Sequence, residues 1–319
     1  MKKYSLLFLI AFQLATASGN ENATNPPKFS SYNHLIDLKE ILCDACGCSA
    51  SGGSMGFASM LDTNFIGIRY FNQNYKSTDG LYSNSPWYEE NFNTVQIWGR
   101  IPVHKKIQIS TLIPYHFHNR ETTTGNQSIN GIGDATILAM YEIFKTKKDS
   151  ITSHVVQIGG GIKIPFGKFD ETNNGSFNPS YQLGTGSWDY MITSEYVIKR
   201  KQFGFNAMLN YTIKTENDRQ YRFGNQTNYA GTFFYLIENP KFSFVPQLGL
   251  AGEIYETNFQ LGQKVRNTSG SIFLSRVGFE LGKNKWSFGA NAMLPIKQNL
   301  NGGRVEANYR WSVNLNYAL

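Results

Sequence analysis

Cysteine is nearly absent from this 319-residue chain, and all three thiols fall within Cys43-Asp44-Ala45-Cys46-Gly47-Cys48. No disulfide framework can tie the remainder together. Long apolar runs are missing as well: beyond the first 17 residues nothing approaches the ~20 apolar residues of a membrane helix, and mean hydropathy is −0.35. Lys and Arg exceed Asp and Glu by 30 to 23, but they are scattered, with no run that would track a phosphate backbone. Nucleic acid is thereby excluded as a partner.

The first residues are of a different kind. Lys2 and Lys3 precede an apolar run from Tyr4 to Ala15, followed by Ala15-Thr16-Ala17. This fits a secretory signal over residues 1–17, and the run is too short for a spanning helix. No Cys follows it closely enough for lipid attachment.

From about Phe65 onward apolar residues recur at every second position, the period of a strand with one apolar face. In Phe203–Lys214 the odd positions are Phe, Phe, Ala, Leu, Tyr and Ile, and the even ones Gly, Asn, Met, Asn, Thr and Lys. The same test predicts twelve strands, near 63–72, 93–101, 106–118, 132–144, 152–165, 186–198, 203–215, 221–236, 242–256, 270–282, 286–296 and 304–319. Their connections alternate between short turns and long polar loops, the long ones at 73–92, 119–131, 166–185 and 257–269. That is the layout of an all-β, closed antiparallel transmembrane barrel over residues 61–319, with short periplasmic turns and long extracellular loops.

Charge placement sharpens the prediction, because a lipid-facing surface excludes ionised groups that a wet lumen can hold. With the apolar register outward, Arg69, Arg100, Lys163, Lys214, Arg222, Arg276 and Arg310 fall inward, as do Asp134, Glu142, Asp189, Glu195, Glu253, Glu280 and Glu306. These fourteen are the candidate pore-lining residues. A soluble sandwich would show the same parity. The outward register also carries Tyr70, Tyr115, Tyr141, Tyr196, Tyr211, Tyr235, Trp286, Trp311 and Tyr317, mostly near strand ends, where amphipathic rings sit at the headgroup boundary.

Three segments carry a family resemblance. Gly131-Ile132-Gly133-Asp134-Ala135-Thr136 resembles a G-x-G-D hallmark strand of the phenol-degradation (meta-pathway) outer-membrane barrel family. Gly160–Gly167, with its Pro165-Phe166-Gly167 exit, and Leu183-Gly184-Thr185-Gly186-Ser187-Trp188-Asp189 are similar to the segments that follow it there. The resemblance implies an outer-membrane channel or transporter for small, hydrophobic solutes and names no catalytic residues. Read sterically, Gly131, Gly133, Gly159, Gly160 and Gly161 mark bends, bulges or crowded places of a closed barrel, and Asp134 is placed to pair with a neighbouring cation.

On this topology residues 18–60 form a periplasmic or plug-like segment. Its cysteines leave several readings open. Cys43 can pair with Cys46 or Cys48, or Cys43, Cys46 and Cys48 can hold a soft metal such as copper, or zinc with His34 as fourth ligand. Thiol exchange is a third reading. His116 and His118 fall inward on the third strand as lumen polar residues. The functional expectation is a channel or transporter for small solutes, with outer-membrane lipid and the barrel-assembly machinery as partners. A non-transporting structural or adhesion barrel is the alternative. An enzyme is disfavoured, since the one outward histidine, His154, has no nucleophile beside it.

Overall fold

The computed structural model describes residues 59, 61, 64–78, 85–122, 125–146, 151–173 and 176–319. The signal segment and Cys43, Cys46, Cys48 and His34 lie outside the described residues. Twelve antiparallel strands form a closed barrel. They are β1 Phe65–Thr78, β2 Trp87–His104, β3 Ile107–Thr122, β4 in two pieces (Gly125–Ile132 and Ala135–Lys145), β5 Thr152–Ile164, β6 Asp189–Arg200, β7 Phe203–Ile213, β8 Gln226–Tyr235, β9 Ser243–Tyr255, β10 Gly270–Lys283, β11 Trp286–Leu300 and β12 Val305–Ala318. Each strand pairs with its neighbours in sequence, and β1 pairs with β12 from Phe65↔Ala318 to Ser77↔Val305, which closes the ring. Closure is what hydrocarbon demands, because an unpaired backbone N–H or C=O there costs several kcal/mol.

Side chains alternate across this wall. Ile66, Ile68, Ile97, Leu209, Leu248, Leu250 and Val277 are exposed on the outer surface. Their neighbours Arg69, Gln96, Asn210, Gln247 and Arg276 are buried inside. Strands ending in Tyr or Trp place those rings at the rims, as with Trp286 against Tyr317 at 5.1 Å between centroids.

The strands run further than apolar alternation predicts. The expected loop at 73–92 is largely strand, since β1 continues to Thr78 and β2 starts at Trp87, and the expected loop at 119–131 is a tight hairpin between β3 and β4. Beyond the bilayer the outer surface meets water, so its residues turn polar while the ladder continues. Asn72 lies opposite Asn93 and Asn74 opposite Asn91, with amide hydrogen bonds of 2.9 and 2.8 Å across the pairs. The inner face there becomes apolar, with Phe71, Tyr75 and Phe92 fully buried.

Two predicted inward charges are corrected by the backbone. On β12 the pairing with β1 slips, Asn74 facing Tyr309 and Tyr75 facing Ala307, so Asn308 is an extra residue. This bulge inverts the parity of the outer end of β12. Arg310 stays inside, but Val305 and Ala307 are the buried residues at that end and Glu306 is exposed on the outer surface. Arg222 lies outside the barrel ladder altogether. Tyr221–Arg222 pairs with Phe259–Gln260, which pairs with Gln263–Lys264, and the Arg222 guanidinium stacks 4.2 Å from the Phe259 ring.

Leu250 is outward in the middle of β9. Leu250→Arg is expected to reduce folding stability in lipid vesicles by about 2–4 kcal/mol, whereas Glu306→Lys changes it by less than about 0.5 kcal/mol. Urea titration of the vesicle-inserted protein checks both values, and a large penalty at Glu306 would contradict its position outside the lipid band.

Candidate functional site

The interior has three tiers. At the short-turn mouth a cavity of about 730 Å³ opens outward, lined by Asn64, Arg100, Gln108, Glu142, Glu195 and Asn206 among others. Arg100 pairs with Glu195 at 3.1 Å, and the Asn206 amide donates to the other Glu195 oxygen at 2.7 Å. Ser59 and Leu61, ahead of β1, are bound at this mouth. Ser59 Oγ and the Leu61 backbone N–H both donate to Glu280 Oε2, at 2.7 and 3.0 Å, and Leu61 packs on the cluster of Phe234, Leu236 and Val245. Glu142 sits at the rim and pairs with Lys145 at 3.6 Å.

In the middle tier the Arg69 guanidinium lies 4.6 Å from the Trp98 ring and donates to Gln96. The far tier is a packed core. Phe71, Tyr75, Phe92, Tyr255, Leu274, Met293 and Leu300 meet there in one apolar cluster, joined by Tyr181 and Leu183 from the β5–β6 connection. Two ion pairs are sealed into this tier. Arg310 grips Glu253 with both terminal nitrogens, at 2.7 and 3.0 Å, and donates to Tyr75 Oη at 2.6 Å, while Tyr255 donates to Glu253. Arg120 pairs with Glu90 at 3.0 Å, and Ser77 donates to the same carboxylate.

The segments that carry the family resemblance come together in one place. β4 breaks at Gly133-Asp134, and the freed Asp134 carboxylate organises the β5–β6 connection. Its Oδ1 accepts from the Gly167 N–H at 3.0 Å, and Oδ2 accepts from the Thr185 N–H at 2.8 Å and the Thr185 hydroxyl at 3.0 Å. Lys163 bridges Asp134 at 3.0 Å and also meets Asp189. Asp189 in turn pairs with Lys214 at 3.1 Å and accepts from Ser187. All four charged groups are buried. The glycines are steric requirements of the same contact: a Cβ on Gly184 would lie 2.2 Å from Asp134 Oδ1 and 2.7 Å from Gly167 O, and one on Gly133 would lie 2.1 Å from His116 Nε2.

Asp134 thus latches the connection, and Tyr181 completes the hold. Its hydroxyl donates to the His118 and Gln127 carbonyls at 2.9 and 3.1 Å, where burial pushes its pKa well up and keeps it a donor. The His116 and His118 rings lie 4.7 Å apart and are tilted by 40°, and His116 Nδ1 lies 2.8 Å from Thr94 Oγ1.

Of the fourteen candidate lumen residues, Asp134, Lys163, Asp189 and Lys214 form the latch, Arg100 and Glu195 line the open mouth with Glu142 at its rim, Glu280 holds Ser59 and Leu61, and Arg69, Arg276, Glu253 and Arg310 are buried deeper. Glu90, Arg120, Tyr75, Tyr181 and Leu183 were not anticipated. The inward parity of β2, Glu90-Phe92-Thr94-Gln96, was the available signal for Glu90. No periodicity marks Tyr181, which is on a connection.

Replacing the latch carboxylate by an amide leaves Lys163 with less compensation and sets an NH2 donor against one of the two backbone N–H groups that the carboxylate accepts. Asp134→Asn is expected to lower unfolding stability by about 3 kcal/mol and to expose the 166–188 connection to protease, while Ser153→Ala on β5 leaves cleavage unchanged. Limited proteolysis of folded protein in detergent, read by mass spectrometry, checks this.

Comparison with known proteins agrees with this arrangement. Residues 89–299 match the family described as "Putative MetA-pathway of phenol degradation". No curated protein matches the chain. Among solved structures, an outer membrane channel from Pseudomonas putida F1 superposes with a TM-score of 0.60 at 13% identity, covering 82% of this chain and 97% of that one. The β domain of the Bordetella autotransporter BrkA gives 0.50 at 10% identity, with 81% and 100% covered. The family match spans well over half of the chain, and the glycines and aspartate that resemble the family's segments are those that build the latch: this protein is an outer-membrane β-barrel belonging to the phenol-degradation MetA-pathway family.

Proposed function

We propose that the protein is a gated outer-membrane channel for small, largely apolar solutes, held closed by the β5–β6 connection. The observation that carries this reading is the division of the interior. A hollow of about 730 Å³ lies at the short-turn mouth, and the other end of the interior is an apolar tier in which an element from outside the barrel ladder supplies part of the packing. A wall strand cannot leave the ladder without breaking backbone hydrogen bonds, but the connection is held by side-chain contacts at Asp134 and Tyr181, so its release would open the interior. The likeness of fold to the Pseudomonas putida channel supports the same reading, as does the family.

The packing of the far tier also favours a second reading, a closed barrel that transports nothing. Leu274 and Met293 are completely inaccessible, and barrels of this size can be filled by their own side chains.

Recording from single proteins in planar bilayers separates the two. The wild-type barrel is expected to show infrequent conductance steps. Tyr181→Ala combined with Leu183→Ala removes buried contacts that only the closed arrangement makes, and is expected to raise open probability by roughly tenfold or more, the equivalent of at least about 1.4 kcal/mol. No steps from either protein at any voltage would eliminate the channel and leave the closed barrel.

A further inference from the structure

Every short turn of this barrel carries cations. Lys105 and Lys106 form the β2–β3 turn, and Lys145 ends β4 ahead of the β4–β5 turn. Lys199-Arg200-Lys201 make the β6–β7 turn, Lys241 lies between β8 and β9, and Lys283 and Lys285 flank the β10–β11 turn. All but the half-buried Lys199 are exposed. Among the described residues of these turns and the strand ends that flank them, the acidic side chains are Glu142, Glu238 and Glu280, fewer than the cations, and Glu280 is buried against Ser59 and Leu61. Lys105, Lys106 and Lys145 line the mouth cavity itself.

The ion pairs at the mouth and further in do not offset this ring, because their members satisfy one another. Arg100 is matched by Glu195, Lys163 and Lys214 by Asp134 and Asp189, and Arg310 by Glu253. The near balance of the fourteen lumen charges read from sequence therefore hides an imbalance at the entrance. A collar of one sign around a low-dielectric opening focuses its field into the opening and raises the local concentration of counter-ions. At physiological ionic strength its reach is about 8 Å, enough for rim side chains to act on a solute inside the mouth. Beyond the collar the interior turns apolar at Phe71, Phe92 and Leu274.

We infer that the channel prefers organic anions, small molecules with an apolar body and one negative charge such as an aromatic carboxylate, with the short-turn collar selecting charge and the far tier accepting the body. The inference rests on the channel reading above and adds to it the sign and class of the solute. Lys105 and Lys106 are the specificity-determining residues expected to contribute most, since both are exposed turn residues that line the cavity.

Reversal potentials in uncharged phosphatidylcholine bilayers test this, using the wild-type barrel and the Tyr181→Ala, Leu183→Ala form, each with and without Lys105→Glu and Lys106→Glu. Under a KCl gradient the parent proteins are expected to pass chloride over potassium by roughly twofold or more. The double reversal is expected to abolish or invert that ratio, and benzoate substituted for chloride is expected to carry current. Steps that favour potassium, a ratio unmoved by the two glutamates, or chloride current without benzoate current would each overturn the anion assignment while leaving the channel intact. Complete absence of steps in all four proteins would instead overturn the channel reading and this inference together.

Discussion

The structure depends on one constraint: in hydrocarbon every backbone N–H and C=O must find a partner on an adjacent strand, so the sheet closes and its two faces separate completely. With β1 paired to β12, any ionisable side chain on a spanning strand has one place to go, the interior. Once there it meets low dielectric and needs compensation, since an isolated buried charge costs far more than a folded protein can spare. The lumen consequently fills with matched pairs. Arg310 with Glu253 and the Lys163, Asp134, Asp189, Lys214 chain are consequences of closure before they are anything functional.

One of these compensated charges has acquired a structural task. Asp134 stands where β4 breaks, and its carboxylate accepts two backbone N–H groups and a hydroxyl from the β5–β6 connection besides the Lys163 ion pair. Charge-assisted hydrogen bonds of this kind are roughly twice as strong as neutral ones. They order a connection that would otherwise lie over the opening with no ladder to hold it. The glycines around it follow from the same contact, because two backbones and a carboxylate approach within distances that exclude a Cβ.

Much of this was legible in the sequence, for a physical reason. Alternation reports the solvent on each face, so wherever lipid lay outside, as in Phe203–Lys214, strand, register and inward charges could be read directly. Where water lay outside, the signal changed sign. Asn74 and Asn91 read as loop although they continue the cross-strand ladder begun by Asn72 and Asn93, and with that stretch the inward Glu90 and Arg120 were lost. Glu306 was misassigned because parity counting assumes an unbroken ladder, and one extra residue at Asn308 inverts it. Arg222 was placed on a strand because its neighbours alternate, yet it belongs to a small sheet among the loops. The latch lay beyond periodicity entirely: its residues are 51 positions apart in Asp134 and Thr185, and a resemblance between segments marked them as special without indicating that they touch.

The inversion of polarity also bears on how such a barrel could open. Inside the lipid band the charged groups of the mouth share the interior with a small packed cluster of Phe65, Trp98, Leu112, Leu138 and Met140. Above it, Phe71, Tyr75, Phe92, Tyr181, Leu183 and Leu274 form what amounts to the core of a small soluble domain. Fully burying side chains of this size stabilises by about 1.5–3 kcal/mol each, so withdrawing Tyr181 and Leu183 into water is unfavourable by several kcal/mol even before the Asp134 contacts are broken. A solute can shift such an equilibrium only by its differential affinity for the open arrangement. A polar solute offers the exposed apolar surfaces nothing. An apolar body that occupies the space left by Tyr181 and Leu183 restores much of the lost contact, so in the proposed channel the same surfaces that close the lumen would recognise the molecule that opens it.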